Sequence, residues 1–137
     1  GEEFMYSREW YTVDALLVSG SIYNGDPNYP SNVQIIIEHE NACDVETEMW
    51  KLIHWRCPLK VLIFYDYRDD VKSTPKVSGW MENKLLILKE MLSEVNKFHN
   101  ESADTEYLFI IGGRKDYDSL PYWRFMTDEK DVLNRFE

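Results

Sequence analysis

Two glutamates that follow a run of three isoleucines are the residues best suited to chemistry. Glu38 and Glu40 lie two positions apart, so in a β-strand their side chains point to the same side and could share a hard cation. Burying two like charges without a cation is costly, and the immediate sequence offers no Lys or Arg to neutralise them. Together with Asp14, at the end of a shorter apolar segment upstream, they predict a metal site. Oxygen ligands of this kind favour Mg²⁺ or Mn²⁺ over zinc.

His39 stands between the two glutamates and should face the other side of the strand. That orientation favours a packed or hydrogen-bonded histidine over a metal ligand. A competing interpretation places both glutamates on the solvated face of an edge strand, with Asp14 paired to an arginine elsewhere. Short motifs often match by chance, so the metal site and the solvated strand both stay open.

The glutamates end the second of two predicted strands. Residues 10–18 alternate well enough for a first strand, a turn-rich connection follows, and residues 33–40 form the next strand. Apolar residues at helical spacing then predict a helix over about 44–55. Residues 59–65 are almost continuously apolar, which is typical of a strand buried on both faces. A strand, a helix and a strand of this size predict a parallel crossover.

The second half of the chain predicts a long helix and further strands. The helix covers about 79–99, and its regular apolar stripe should pack against the sheet. Residues 107–111 predict another buried strand, and residues 122–126 a last edge strand before a short C-terminal helix. The order of elements predicts an α/β domain with a mixed sheet flanked by helices. The apolar stripe of the long helix consists of Met81, Leu85, Leu88, Leu92 and Val95.

An aspartate on one strand, Glu38-His39-Glu40 on the next, a helix and then an apolar strand resemble the PD-(D/E)XK nuclease-like superfamily, also called restriction-endonuclease-like. The resemblance covers about half of the chain, residues 10–67, and depends more on the order of elements than on the short motif. In that family an Asp and the acidic residue that begins a D/E-x-K tripeptide hold Mg²⁺, and the Lys orients or activates the attacking water. The resemblance implies that Asp14 is the first metal ligand and Glu38 the second.

Glu40 then occupies the position that the family normally gives to Lys. A minority of the family has Glu or Gln there, which would make Glu40 a base or an extra ligand, but members that have lost catalysis carry the same change. Lys51 is a candidate substitute, because family members sometimes supply the Lys from the following helix. The implied chemistry is attack of a metal-activated water on a phosphodiester, with Asp14, Glu38, Glu40 and Lys51 as the catalytic residues.

The composition indicates one domain over residues 1–137, and Gly1 is compatible with residues missing upstream. Lys and Arg total 15 against 25 Asp and Glu, and the net charge of −10 argues against broad electrostatic attraction to nucleic acid. A bound cation and a partner subunit could supply positive charge, so we expect a protein partner or a second copy of the chain. We expect no membrane span and no basic leader. Cys43 and Cys57 are expected to be reduced thiols of a cytoplasmic protein.

The leading hypothesis is therefore Mg²⁺-dependent cleavage of nucleic acid, by a protein that needs a partner or second subunit for its contacts. One alternative is a catalytically inactive interaction or regulatory protein on the same scaffold, which the net charge of −10 and the glutamate in place of Lys favour. Another is an acidic mimic of nucleic acid that occupies the basic groove of a different protein. No sequence feature separates these two alternatives.

Overall fold

The computed structural model describes residues 5–10, 12–21, 24, 31–42, 44–66, 80–98, 105–113, 123–129 and 132–136. All seven described strands form one sheet, and their order across the sheet is their order along the chain. The predicted α/β class with a mixed sheet is confirmed. The elements are β1 (Met5–Trp10), β2 (Val13–Val18), β3 (Val33–His39), α1 (Val45–Ile53), β4 (Leu59–Asp66), α2 (Trp80–Phe98), β5 (Glu106–Gly113), β6 (Trp123–Glu129) and β7 (Val132–Phe136).

The sheet is antiparallel at both sides and parallel in the middle. β1, β2 and β3 form an antiparallel meander, β3 to β5 are parallel, and β6 and β7 are again antiparallel. The two parallel steps are joined by α1 and α2, and the parallel crossover predicted through the first helix is confirmed. Because such crossovers are almost always right-handed and both move the same way across the sheet, both helices lie on one face.

The main hydrophobic core lies between that sheet face and the two helices. Side chains alternate along the strands, so the inward-facing residues in the middle of β3, β4 and β5 point toward the helices and are buried there. From α2, Leu88 and Leu92 are buried in this core, whereas Leu85 is partly buried and packs against it. The sheet contributes Leu16, Ile36, Leu62, Phe64, Phe109 and Ile111, and α1 contributes Val45, Met49 and Leu52.

The first predicted strand, over residues 10–18, is instead the second arm of a hairpin. Trp10 ends β1 and pairs with Val13 at the start of β2. The tight turn between them holds Thr12 at a φ of 68°. The sequence lacks the Asn or Gly that usually marks such a turn, so alternation appeared continuous through it.

The C-terminal prediction also needs correction. The strand expected over 122–126 is β6, which is longer and is not an edge strand, because β7 pairs with it. β7 occupies the place where a short C-terminal helix was expected. The segment Val132–Phe136 is too short for helical periodicity to be distinguished from strand alternation, and its pairing with β6 decides the outcome.

A fully buried lysine lies in the core on the same sheet face. Lys60 of β4 has no exposed surface, and its ammonium donates to the hydroxyl of Tyr107 at 3.0 Å. The ammonium is also 3.5 Å from the carbonyl oxygen of Ile53, at the C-terminal end of α1, where the helix dipole is negative. A buried cation thus anchors the end of α1 to the sheet.

Two expectations about the chain as a whole bear on the described residues. None of the described helices is long and apolar enough to cross a membrane. Cys57 is a buried thiol whose Sγ donates to the carbonyl oxygen of Leu59 at 3.4 Å. Cys43 lies outside the described residues.

We predict that Leu88→Ala lowers the free energy of unfolding by about 2–5 kcal/mol, because it leaves a cavity in a fully buried part of the core. Leu86→Ala is the matched control, since Leu86 lies on the same helix and is 54% exposed. Urea denaturation of the two variants gives the comparison. Equal losses of stability would show that α2 packs with a different face.

Candidate functional site

Glu38 is a charged residue on an interior strand. It has no exposed surface, and β3 is flanked by β2 and β4. Its register partner on β4 is Leu62, so its side chain lies on the sheet face that the helices cover. The alternative of a solvated edge strand is therefore wrong for Glu38.

Asp14 lies directly beside Glu38 on β2. Ala15 pairs with Ile37, and the next position along this register places Asp14 beside Glu38. The backbone N–H of Asp14 donates to Glu38 Oε2 at 3.3 Å, and the backbone N–H of His39 donates to Asp14 Oδ2 at 2.6 Å. Each carboxylate is thus oriented by the backbone of the strand that carries the other.

Lys51 of α1 supplies the positive charge that the neighbouring sequence lacks. Its Nζ is 3.1 Å from Glu38 Oε1 and donates to the carbonyl oxygen of Thr12 at 3.0 Å. It also forms an ion pair with Glu48, one turn earlier on the same helix. The predicted substitute cation is therefore turned toward the strands.

Glu48 and the Thr12 carbonyl are parts of this site that sequence reasoning did not include. The spacing of Glu48 and Lys51 indicated a pair on one helix face, but it gave no direction for that face. Thr12 gave no signal, because a backbone carbonyl carries no residue identity. Its φ of 68° is unusual, because the left-handed region is energetically unfavourable for a β-branched residue.

Burial controls the protonation of these groups. Desolvation raises the pKa of Glu38 from 4.5 to about 7, although Lys51 and the Asp14 N–H act in the opposite direction. Burial alone lowers the pKa of Lys51, but its contacts with Glu48 and Glu38 outweigh burial and raise the pKa overall. The ammonium is therefore protonated at neutral pH, whereas the Glu38 carboxyl titrates there.

The cluster leaves two buried oxygens without a conventional hydrogen bond. Glu38 Oε1 and Glu48 Oε2 both lie within ion-pair distance of Lys51 Nζ, yet within the described part of the chain neither accepts a hydrogen bond of normal geometry. Charge attraction to one ammonium holds both oxygens. Such oxygens retain the capacity to bind a cation.

Glu40 lies directly after β3 and forms contacts of its own. Its backbone N–H donates to the Ile63 carbonyl at 2.8 Å, which extends the parallel ladder past the end of β3. Its carboxylate accepts a hydrogen bond from the backbone N–H of Ala42. Among the described residues no three His, Cys, Asp or Glu side chains are placed to hold a metal ion together. Glu38 contacts both the backbone of Asp14 and the ammonium of Lys51, whereas the Glu40 carboxylate forms its hydrogen bond within its own turn.

His39 faces away from Glu38, as predicted. Its Nε2 lies 3.0 Å from the hydroxyl of Tyr65, and the two rings meet edge to face with centroids 5.6 Å apart. Tyr65 belongs to β4, so this contact joins two parallel strands on the sheet face opposite the helices. The histidine has a packing and hydrogen-bonding role.

No protein-family model matches the chain, and comparison with curated proteins and with solved structures finds no match either. The restriction-endonuclease-like fold and the nuclease activity therefore stay predictions. The chemistry of the site rests on its own residues: two adjacent carboxylates, one buried and one exposed, with an ammonium held against the buried one.

We predict that Glu38 makes the protein more stable as the pH falls from about 7 to 4.5. Its pKa is raised on folding, so the folded chain binds more protons than the unfolded chain in that window, and stability falls as the pH rises through it. The contribution is on the order of 1–3 kcal/mol.

Urea denaturation across this pH range tests the prediction by comparing the native protein with Glu38→Gln, whose neutral amide cannot titrate. Glu90→Gln is the control, because Glu90 is an exposed carboxylate on α2. Subtracting the variant curve isolates the contribution of Glu38 from that of the other carboxylates. Identical pH dependence in the native protein and Glu38→Gln would contradict the raised pKa.

Proposed function

We propose that this protein is a divalent-metal-dependent nuclease of the PD-(D/E)XK, restriction-endonuclease-like type. The observation that carries the proposal is the meeting of Asp14, Glu38 and Lys51, with Lys51 Nζ 3.1 Å from Glu38 Oε1. The order of elements supports it, since an antiparallel meander of three strands is followed by a helix and a parallel strand. Two carboxylates and a lysine are the residue types of the family motif.

The donor set fits Mg²⁺ or Mn²⁺. Asp14 and Glu38 would hold the ion, and Glu38 Oε1 is a buried oxygen that accepts no normal hydrogen bond from the described residues. Mg²⁺ is commonly bound through only one or two carboxylates, with waters and substrate phosphates as the remaining ligands. A site with two protein carboxylates is sufficient for that mode of binding. The bound ion would polarise a phosphoryl oxygen and lower the pKa of the attacking water.

The residues of the chain take distinct parts in this proposal. Lys51 has a raised pKa, so it acts as a cation and hydrogen-bond donor toward the charge that develops on the phosphoryl group. Glu48 and the Thr12 carbonyl fix its position. Glu40 lies in the turn after β3, where its carboxylate accepts a hydrogen bond from the Ala42 N–H, and it would have to give up this contact to act as the proton acceptor for water.

The net charge of −10 supports a second candidate, a non-catalytic interaction or regulatory protein. Its scaffold would be the same, with Glu40 in the place of the family Lys and with the ammonium neutralised by two carboxylates. In the nuclease proposal, a partner subunit in the cytoplasm supplies the positive surface that nucleic acid requires. The buried Cys57 is a thiol, as expected of a cysteine in a reducing compartment.

We expect Mg²⁺- or Mn²⁺-dependent cleavage when single- and double-stranded DNA and RNA are incubated with the protein. Glu38→Gln should lower the rate about 10²-fold or more, because it removes a ligand of the ion that activates the water. Glu90→Gln is the matched control on α2 and should leave the rate unchanged. Equal rates in the native protein and Glu38→Gln would assign the cleavage to a contaminant.

We also expect millimolar Mg²⁺ or Mn²⁺ to raise the melting temperature, because the ion binds the folded state preferentially. The double variant Glu38→Gln, Glu40→Gln should lose this increment while it stabilises the metal-free protein by deleting a buried charge. Differential scanning calorimetry with and without the ion measures both effects. A native melting temperature indifferent to both ions, together with absent cleavage, would favour the interaction protein.

A further inference from the structure

The ammonium of Lys51 lies in a cradle of oxygens that belong to three separate segments. Glu38 Oε1 on β3 is 3.1 Å away, the Thr12 carbonyl in the first hairpin turn is 3.0 Å away, and Glu48 on α1 completes the set. Two carboxylates and a carbonyl are the ligand types that hard cations select. The Lys51 ammonium thus occupies a position that could also hold a divalent cation.

Burial differs across the cradle. The Glu38 side chain has no exposed surface, whereas the side chains of Glu48 and Lys51 are 16% and 20% exposed. The ammonium therefore spans an inner, fully buried carboxylate and an outer one that reaches solvent. Because Nζ contacts both carboxylates at once, the flexible lysine side chain can leave Glu38 while it keeps its ion pair with Glu48.

A divalent cation on Glu38 and an ammonium 3.1 Å from the same carboxylate are like charges in a poorly solvated site, where repulsion is strong. Glu38 would therefore exchange one cation for the other. Glu48, one helix turn away, already forms an ion pair with this ammonium and can hold it after its release from Glu38. This outer partner keeps Lys51 beside the site after the exchange.

We propose that Lys51 is an exchangeable internal counter-ion, whose ammonium neutralises Glu38 in the metal-free protein, leaves it when a divalent cation binds, and is then held by Glu48. This inference rests on the proposed function, since the cation is the one that the nuclease site takes. Glu48 is a positioning residue in this scheme, because it acts on the site through Lys51. Lys51 competes with the metal for Glu38 and becomes available to a phosphate only after the metal has bound.

Mn²⁺ affinity tests the competition, measured by titration calorimetry on the intact chain without substrate. Lys51→Met removes the competitor and should bind Mn²⁺ about 10-fold more tightly or better, whereas Glu38→Gln should abolish binding. Lys84→Met is the matched control, because Lys84 forms an ion pair with Glu46 of α1 and its loss changes the net charge equally. The control should bind Mn²⁺ as the native protein does.

Glu48→Gln separates a positioning residue from a metal ligand. In the native background it should weaken Mn²⁺ binding several-fold, because the displaced ammonium loses its alternative partner. In the Lys51→Met background the same change should have no effect, since Glu48 acts only through Lys51. An equal loss in both backgrounds would make Glu48 a ligand and overturn its positioning role.

The outcomes also separate this inference from the nuclease proposal. Glu38-dependent Mn²⁺ binding that is no tighter in Lys51→Met than in the native protein would overturn the exchange and leave the metal site intact. Failure of both the native protein and Lys51→Met to bind Mn²⁺ would remove the metal site and the inference together. A circular dichroism spectrum unchanged from the native one would show that each variant is folded.

Discussion

A carboxylate on an interior strand needs a cation beside it, and the ion pair between Glu38 and Lys51 meets that requirement. Desolvation of a charge is expensive, and the pair offsets part of that cost only when its geometry is held. Here the geometry comes from three elements: β3 carries the carboxylate, α1 the ammonium, and the hairpin turn before β2 the Thr12 carbonyl. This polar contact thus fixes the meander relative to the first helix, beside the apolar residues of α1 that pack against the sheet.

Three lysines connect α1 to other elements of the described structure. Lys51 joins it to the strands, Lys84 joins it to α2 through Glu46, and Lys60 lies against its C-terminal carbonyl. The apolar residues of α1 supply its burial, but apolar contacts have no direction. The three ammonium groups fix the orientation of the helix, since each contacts specific oxygen atoms. A helix located in this way can present Glu48 and Lys51 to the strands in one orientation.

Much of this architecture follows from local pattern. The long helix, the buried strands at 59–65 and 107–111, and the parallel crossover were predicted because continuous apolar runs and helical stripes have strong periods. The first hairpin was not predicted because its turn lacks Asn and Gly. The strand β7 was not predicted because five residues are too few to distinguish helical periodicity from strand alternation. At the site, strand alternation placed Glu38 and His39 on opposite faces. The sequence could not show that the Lys51 side chain points toward the strands, since packing sets the rotation of a helix about its axis.

The strands lie side by side in the order in which they are synthesised. Each strand pairs with its predecessor in the chain, so the sheet can grow strand by strand as the polypeptide leaves the ribosome, N-terminal part first. Asp14, Glu38 and Lys51 all precede β4. Once that strand joins, every partner of the ion pair has been synthesised, while α2 and the last three strands are still to come. The nascent chain can therefore assemble its charged cluster before the second half of its core exists.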